Sequence, residues 1–131
     1  MNRNHKALEL DKVLEMLAAE TTCEEAASLA LELRPAENIE DARVLLQQTD
    51  DAFVLMAKFG APSFYGLRNI VNAVRRAEAG GALNLTELLG VEATLKVIRG
   101  VADWRNKSAS IKTTLDYRFD TLQPNKYLEE K

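Results

Sequence analysis

Residues that could catalyse a reaction or bind a metal are scarce in this sequence. It contains one histidine, His5, and one cysteine, Cys23. A single cysteine excludes an internal disulfide, and neither residue has a second His or Cys at the spacing of a zinc site. A helix start would favour the Cys23 thiolate, but Glu24 and Glu25 oppose it. We therefore interpret His5 as a terminal residue without catalytic function and Cys23 as a structural or incidental thiol. We predict neither catalytic nor metal-binding residues.

Other absences narrow the class of protein. Residues 2–6 are polar and lack the apolar centre of a signal peptide, and no apolar run approaches the length of about 18 residues that indicates a membrane span. These observations predict a cytoplasmic protein. The Gly80-Gly81 pair is not followed by the Lys-Ser/Thr of a phosphate-binding loop, so the sequence predicts no nucleotide cofactor in this chain. Aromatic residues make up only 6%, which predicts a core of Leu, Val and Ala.

The composition is that of one ordinary globular domain. Of the 131 residues, 47% are hydrophobic and 28% are charged. The net charge of −3 is unevenly distributed: residues 1–60 carry 6 basic and 12 acidic residues, whereas residues 61–131 carry 11 basic and 8 acidic residues. If the chain contacts phosphates, the second half is therefore the expected contact region.

The residue pattern predicts an all-α fold, a compact domain of about five helices. Apolar residues at helical spacing predict a first helix near residues 10–20. Capping signals at Thr22, Asn38 and Asn84 predict the starts of the second, third and fifth helices. The fourth helix follows a loop at residues 60–66 and ends at Gly80-Gly81, and its predicted buried side consists of Ile70, Val71, Val74 and Ala77. The third helix is predicted to continue to Gly60, and one of its sides is lined by Ile39, Ala42, Leu46, Phe53, Met56 and Phe59.

Two later segments follow a different pattern. Residues 106–125 lack periodicity and are expected to be irregular with a little helix. Residues 126–131 then read as the start of a truncated helix. Because the sequence opens with Met1 and ends about one turn into this helix, we expect residues 1–131 to be a single helical domain at the N-terminus of a longer, multidomain protein.

The remaining candidates for function are surfaces. Basic residues on the fourth helix and near the end of the fifth could contact nucleic-acid phosphates or another domain: Arg68, Arg75, Arg76, Arg99, Arg105 and Lys107. The alternative is that they only solvate amphipathic helices. Phe64, Tyr65 and Trp104 are candidate protein contacts, with anchoring of a loop or packing between helices as the alternative.

Several segments together resemble the bacterial MutS-two (MutS2) family, ATPases related to the mismatch-repair protein MutS. They are LELDKVLEMLA at 8–18, TDDA at 49–52, GAPSF at 60–64, GLRNI at 66–70, RAEAGGAL at 76–83, TELL at 86–89, and LQP at 122–124 before YLE at 127–129. The resemblance spans nearly the whole chain and consists of packing and turn residues, not of catalytic ones. Asn69 stands where the family pattern leads us to expect an acidic residue.

The resemblance implies a parent protein with a helical core and lever, a clamp, a homodimeric ATPase domain that binds ATP and Mg, and often a C-terminal endonuclease domain. Such proteins are associated with DNA repair, branched DNA, suppression of recombination and rescue of collided ribosomes. This chain would be a non-catalytic scaffold in the first part of the core, with the remaining core, clamp and ATPase domains as its partners. The alternative hypothesis is a free-standing helical protein-interaction module. An enzyme based on Cys23 is the third.

Overall fold

The computed structural model describes residues 8–131 and contains seven helices and no strand within that range. The helices are α1 (Leu10–Ala19), α2 (Glu24–Leu31), α3 (Ile39–Phe59), α4 (Val71–Glu78), α5 (Leu85–Lys107), α6 (Asp116–Phe119) and α7 (Lys126–Glu129). The predicted all-α fold is thus confirmed. Five of these helices have eight or more residues, and α6 and α7 are single turns. None of the described helices combines the length and hydropathy that crossing a bilayer requires. His5 lies outside the described residues.

The chain divides into two compact units, one extending to Pro35 and the other from Ala36 to Lys131. The sequence predicts a single domain for residues 1–131, and that remains a prediction. The two units are described separately.

In the first unit, α1 and α2 pack against each other across a tight turn. The Thr21 hydroxyl donates to the Ala18 carbonyl at 2.7 Å, which satisfies one of the free carbonyls at the end of α1. Thr22 was predicted to cap the second helix, but α2 begins at Glu24 with Cys23 as its N-cap. The predicted cap is therefore one residue too early: the backbone at Cys23 is extended (φ −144°, ψ 155°), as an N-cap requires.

The second unit begins with α3, whose start and end agree with the prediction. The Asn38 side chain accepts a hydrogen bond from the Asp41 backbone N–H at 2.8 Å. Gly60 ends the helix with φ at 74°, a left-handed conformation that suits glycine. Leu55 is the buried residue of α3. The apolar side that includes Leu46 and Phe53 is instead exposed.

Helices α4 and α5 are joined by a short turn that the sequence predicts well. Gly80 has φ at 84° and follows α4. Asn84 and Glu87 then form both hydrogen bonds of a capping box at the start of α5. The predicted buried side of α4 was wrong, because Ala73 is its buried residue while Val71 and Val74 are about half exposed.

The buried stripe of α5 consists of Thr94, Val97 and Val101. It faces the loop that follows α3, because the backbone of Arg68 bonds to the Thr94 hydroxyl. Beyond α5, residues 108–125 form turns around the single-turn helix α6, which confirms the expectation of irregular structure with a little helix. Helix α7 contacts α5 and is capped by the Asn125 side chain, which accepts from the Leu128 N–H at 3.1 Å.

Candidate nucleic-acid and protein contact surfaces

Arg105 organises the segment after α5. Its Nη2 donates to Asp116 Oδ1 at 2.6 Å and to the Ile111 carbonyl at 2.9 Å, and its Nη1 donates to the Ser108 carbonyl and hydroxyl at 2.8 and 3.1 Å. The side chain is only 12% exposed. Hydrogen bonds from Thr113 and then from Arg105 hold the pKa of Asp116 below its usual value. The guanidinium, predicted as an outward contact, is therefore occupied by four internal acceptors.

Arg76 connects the end of α4 to the beginning of α5. Its Nη2 pairs with Glu87 Oε1, and its Nε donates to the Ala82 carbonyl at 3.3 Å. The other oxygen of Glu87 accepts from the Asn84 N–H at 2.9 Å, closing the capping box. The Arg76 hydrogen bond, followed by that of the Asn84 N–H, holds the pKa of Glu87 below its usual value. Arg76 thus stabilises a helix start through the same carboxylate that caps it.

Arg99 attaches α7 to α5. Its Nη2 lies 2.6 Å from Glu129 Oε1, and the Glu129 side chain is only 5% exposed. Glu129 Oε2 is buried without a hydrogen-bond partner in the described part of the chain. The carboxylate consequently depends on one arginine for its compensation.

The other three predicted basic residues are exposed and form no ion pair within residues 8–131: Arg68, Arg75 and Lys107. The sequence places Arg68 on the fourth helix, but α4 begins at Val71 and Arg68 lies in the loop before it. Its backbone is fixed there, since its N–H donates to Thr94 Oγ1 at 3.2 Å and its carbonyl accepts from the same hydroxyl at 3.4 Å. Its side chain lines an open groove together with Asn69 and Asn72. Among the six basic candidates, these three have the charge most accessible to a phosphate.

The aromatic candidates also divide into one residue with internal contacts, Trp104, and two exposed residues, Phe64 and Tyr65. Trp104 Nε1 donates to the Gly60 carbonyl at 3.0 Å, and the indole packs on Phe119 with ring centroids 6.0 Å apart. This arrangement joins the end of α3 to α5 and α6, so Trp104 has an internal packing function. Tyr65 is 89% exposed, and Phe64 is 45% exposed. A ligand or partner would meet Tyr65 first.

Phe64 also lines an apolar groove of about 340 Å³ in the second unit. Apart from Arg118, the residues of this groove are all hydrophobic: Phe64, Leu67, Val97, Ile98, Val101, Leu115, Phe119 and Leu122. The loop after α3, the buried stripe of α5 and the segment around α6 each contribute to it. Such a lining suits an apolar side chain better than a charged ligand.

The sequence did not reveal how the irregular segment is held against α3. Asp51 Oδ2 accepts from both the Thr114 N–H and the Thr114 hydroxyl, each at 2.7 Å. These hydrogen bonds, with another from Gln47, hold the pKa of Asp51 below its usual value. The sequence alone favours a solvated helix face or a cap for the Asp50-Asp51 pair. Thr114 lies 63 positions from Asp51 along the chain, so no local pattern signals this contact.

The described residues contain no grouping of three or more His, Cys, Asp or Glu side chains that could hold a metal ion. Cys23 is half-buried at the start of α2. The predictions about cofactors and about the basic and aromatic contacts are untested by this geometry and stay predictions.

Comparison with known proteins confirms the resemblance to the MutS2 family. The chain is 36% identical over 77% of its length to the Endonuclease MutS2 of Agathobacter rectalis, and 32% identical over 80% to that of Clostridium botulinum strain Loch Maree. It is 30% identical over 98% of its length to the Endonuclease MutS2 of Ruminiclostridium cellulolyticum. The aligned regions cover only 13% to 16% of these relatives. No family model and no solved structure matches the chain.

Proposed function

We propose that this chain, which is related to the MutS2 family over most of its length, is a non-catalytic helical scaffold of a larger MutS2-like protein. The sequence relationship carries the proposal. The contacts of three arginines support it, because Arg76, Arg99 and Arg105 form ion pairs that stabilise a helix start and the junctions between segments. The scaffold would transmit movement between the other parts of the parent: the remaining core, the clamp and the ATPase domain.

The parent, in this proposal, is a cytoplasmic homodimeric ATPase that uses ATP and Mg, with an endonuclease function such as the names of the relatives state. The parent would act in DNA repair, in branched-DNA processing, in suppression of recombination and in rescue of collided ribosomes. Translation of the genomic reading frame beyond Lys131 tests this. A downstream Gly-x-x-x-x-Gly-Lys-Ser/Thr sequence is expected, and a stop codon directly after Lys131 would refute the proposal.

Any direct contribution of this chain to nucleic-acid binding would come from its unpaired basic residues. We expect weak, salt-sensitive binding to branched DNA, because a few exposed cations release few counterions. Arg75 and Arg76 provide a matched pair: Arg75 is exposed and without an ion pair within residues 8–131, whereas Arg76 is bonded to Glu87. Arg75→Ala should weaken binding in fluorescence anisotropy without changing stability, whereas Arg76→Ala should lower the melting temperature. Tight binding that neither variant changes would reject the basic surface.

A free-standing protein-interaction module is the second candidate function. The 89% exposure of Tyr65 favours it, as does the apolar groove lined by the preceding residue, Phe64. Tyr65→Ala should then abolish binding to a protein partner in a pull-down while leaving the melting temperature unchanged. Trp104→Ala is not a suitable probe, since it removes an internal contact with Gly60. A partner retained by the Tyr65 variant would argue against this surface.

A further inference from the structure

One side of α3 carries a stripe that is apolar except at Thr49, and its residues are spaced alternately three and four apart through three heptads. We call it the α3 seam, and it consists of Ile39, Ala42, Leu46, Thr49, Phe53 and Met56. This is the spacing with which helices pair in coiled coils. The large residues of the seam are exposed: Leu46 by 70% and Phe53 by 71%, with Ile39 at 59% and Met56 at 47%.

The opposite side of α3 makes the contacts within its own unit. Leu55 is buried to 1% exposure. Gln48 Nε2 lies 3.5 Å from the Tyr117 hydroxyl, and Asp51 bonds to Thr114. At 3.6 residues per turn, these positions lie nearly half a turn from the middle of the seam. Burial of one side against its own unit therefore leaves the seam facing outward.

We propose that the α3 seam pairs with the same seam of a second copy of this chain, with the two helices antiparallel. In this register, Ile39 lies opposite Met56 of the second copy, Ala42 opposite its Phe53, and Leu46 opposite its Thr49. The largest side chain thus meets the smallest, and the two-fold axis repeats each layer. A parallel pair would place Phe53 on Phe53 and Ala42 on Ala42, which combines overpacking with a void.

The charges beside the seam favour the same direction. Arg43 and Asp50 occupy equivalent flanking positions in successive heptads, and neither forms an ion pair within the part of the chain described. In the antiparallel register, Arg43 of each copy lies near Asp50 of the other, giving two symmetric ion pairs. In a parallel pair their neighbours would be Asn38 and Leu45, and this charge complementarity would be lost.

The size of the seam indicates a modest affinity. Helix α3 has 21 residues, which at about 1.5 Å per residue is roughly 30 Å of contact. Stable interfaces bury about 800 Å² per partner, and three heptads with a Thr layer are near the lower limit of such an interface. The dimer should therefore dissociate on dilution. This inference does not depend on membership in a MutS2-like parent, so each can fail without the other.

Sedimentation velocity of the 131-residue chain over roughly a hundred-fold range of concentration tests the pairing. We expect the mass to rise from 14.6 kDa towards twice that value as concentration increases. Phe53→Glu should abolish the rise. Because Phe53 is exposed in the single chain, circular dichroism of this variant should be unchanged. A mass of one chain at every concentration would overturn the proposal.

A charge swap tests the direction and register without altering an apolar residue. Arg43→Asp or Asp50→Arg alone should weaken association about tenfold, since each creates two like-charge contacts. The double variant should restore association to within about threefold of the original. Lys58→Glu, an exposed charge away from the seam, is the matched control and should have no effect. A dimer unaffected by the single reversals, or not restored by the swap, would show that this register is wrong.

Discussion

At the scale of single residues, the structure is held together by side chains that close loops and helix ends. Arg105 is the main example, because its guanidinium donates to four acceptors on Ser108, Ile111 and Asp116. An arginine with five donors in a planar arrangement can satisfy such a set where a lysine cannot. Its function is to give the irregular segment after α5 a defined conformation.

Arg105→Ala should lower the free energy of unfolding by about 2–4 kcal/mol, because it leaves partly buried acceptors and the Asp116 carboxylate without their donor. Lys107→Ala, two residues away and exposed, should change it by less than about 0.5 kcal/mol. Urea unfolding measures both. Equal losses from the two variants would contradict the role given to Arg105.

The carboxylates that accept these hydrogen bonds make the free energy of unfolding depend on pH. Asp116 has its pKa lowered from 3.8 by Thr113 and then by Arg105, so it binds a proton less readily when folded than when unfolded. Its contribution is complete above the unfolded value and is lost as the pH falls through the folded value. Stability should therefore decrease below about pH 4, and Asp116→Asn should reduce that decrease. Thermal melts from pH 6 to pH 2 would show it; an unchanged slope in the variant would contradict the assignment.

Arg99 and Glu129 should respond unequally to truncation. Arg99→Ala leaves the nearly buried Glu129 carboxylate without any partner, whereas Glu129→Ala leaves an arginine that is 42% exposed and can be hydrated. Arg99→Ala should therefore increase hydrogen exchange at the amides of α7 more than Glu129→Ala does. Similar effects of both variants throughout the unit would show that the pair is simply a surface ion pair.

At the scale of helices, the predictions succeeded where the signal is local and failed where partners are distant. Asn38 and the Asn84/Glu87 capping box act within three residues, so the starts of α3 and α5 could be read from the sequence. The Asp51–Thr114 contact joins residues 63 positions apart and has no local pattern. Apolar periodicity shows that a helix has an apolar side but not whether a neighbour covers it, and α3 illustrates that difference.

The glycines of α5 give a prediction at this scale. Glycines inside a helix, here Gly90 and Gly100, predict a close approach of another helix or a local break, and α5 continues through both without a break. A Cβ at Gly90 would contact Arg68 at an ordinary 3.8 Å, and a Cβ at Gly100 would have no atom within 4 Å. Gly100→Ala should thus stabilise the fold by about 0.5–1 kcal/mol through helix propensity.

The control for that substitution is Gly81→Ala. A Cβ at Gly81 would lie 2.9 Å from the Arg76 carbonyl oxygen, so the backbone would have to shift and the variant should be destabilised. Differential scanning calorimetry should show opposite changes in melting temperature for the two variants. A lower melting temperature for Gly100→Ala would mean that α5 has a close neighbour at Gly100.

At the scale of the whole molecule, few hydrophobic residues are buried and many large ones are exposed. Six hydrophobic residues among those described are buried, while several large ones along α3 are half exposed or more. Extended apolar surface of this kind marks contact with other protein. A scaffold in a larger MutS2-like protein and pairing through the α3 seam both provide such contact, and their tests separate them.

The relationship to MutS2 proteins could be anticipated from the sequence because it lies in turns and packing positions distributed along the chain. The exposed or internal status of its basic residues could not be anticipated. Arg75 and Arg76 are adjacent in sequence and alike in composition, yet only Arg76 finds a carboxylate, which is supplied by the next helix. The pairing of Arg76 with Glu87 depends on the conformation of the turn at Gly80 and Gly81. The identity of the residues alone does not show which arginine this turn brings to the carboxylate.

The most direct test of the central proposal is the mass of the protein that the source cell makes, measured by immunoblot and mass spectrometry with an antibody against residues 36–131. The aligned region is 13% to 16% of the MutS2 relatives, so we predict a product several times heavier than 14.6 kDa that contains this sequence. A single product of 14.6 kDa would contradict the proposal that this chain is a scaffold within a larger MutS2-like ATPase.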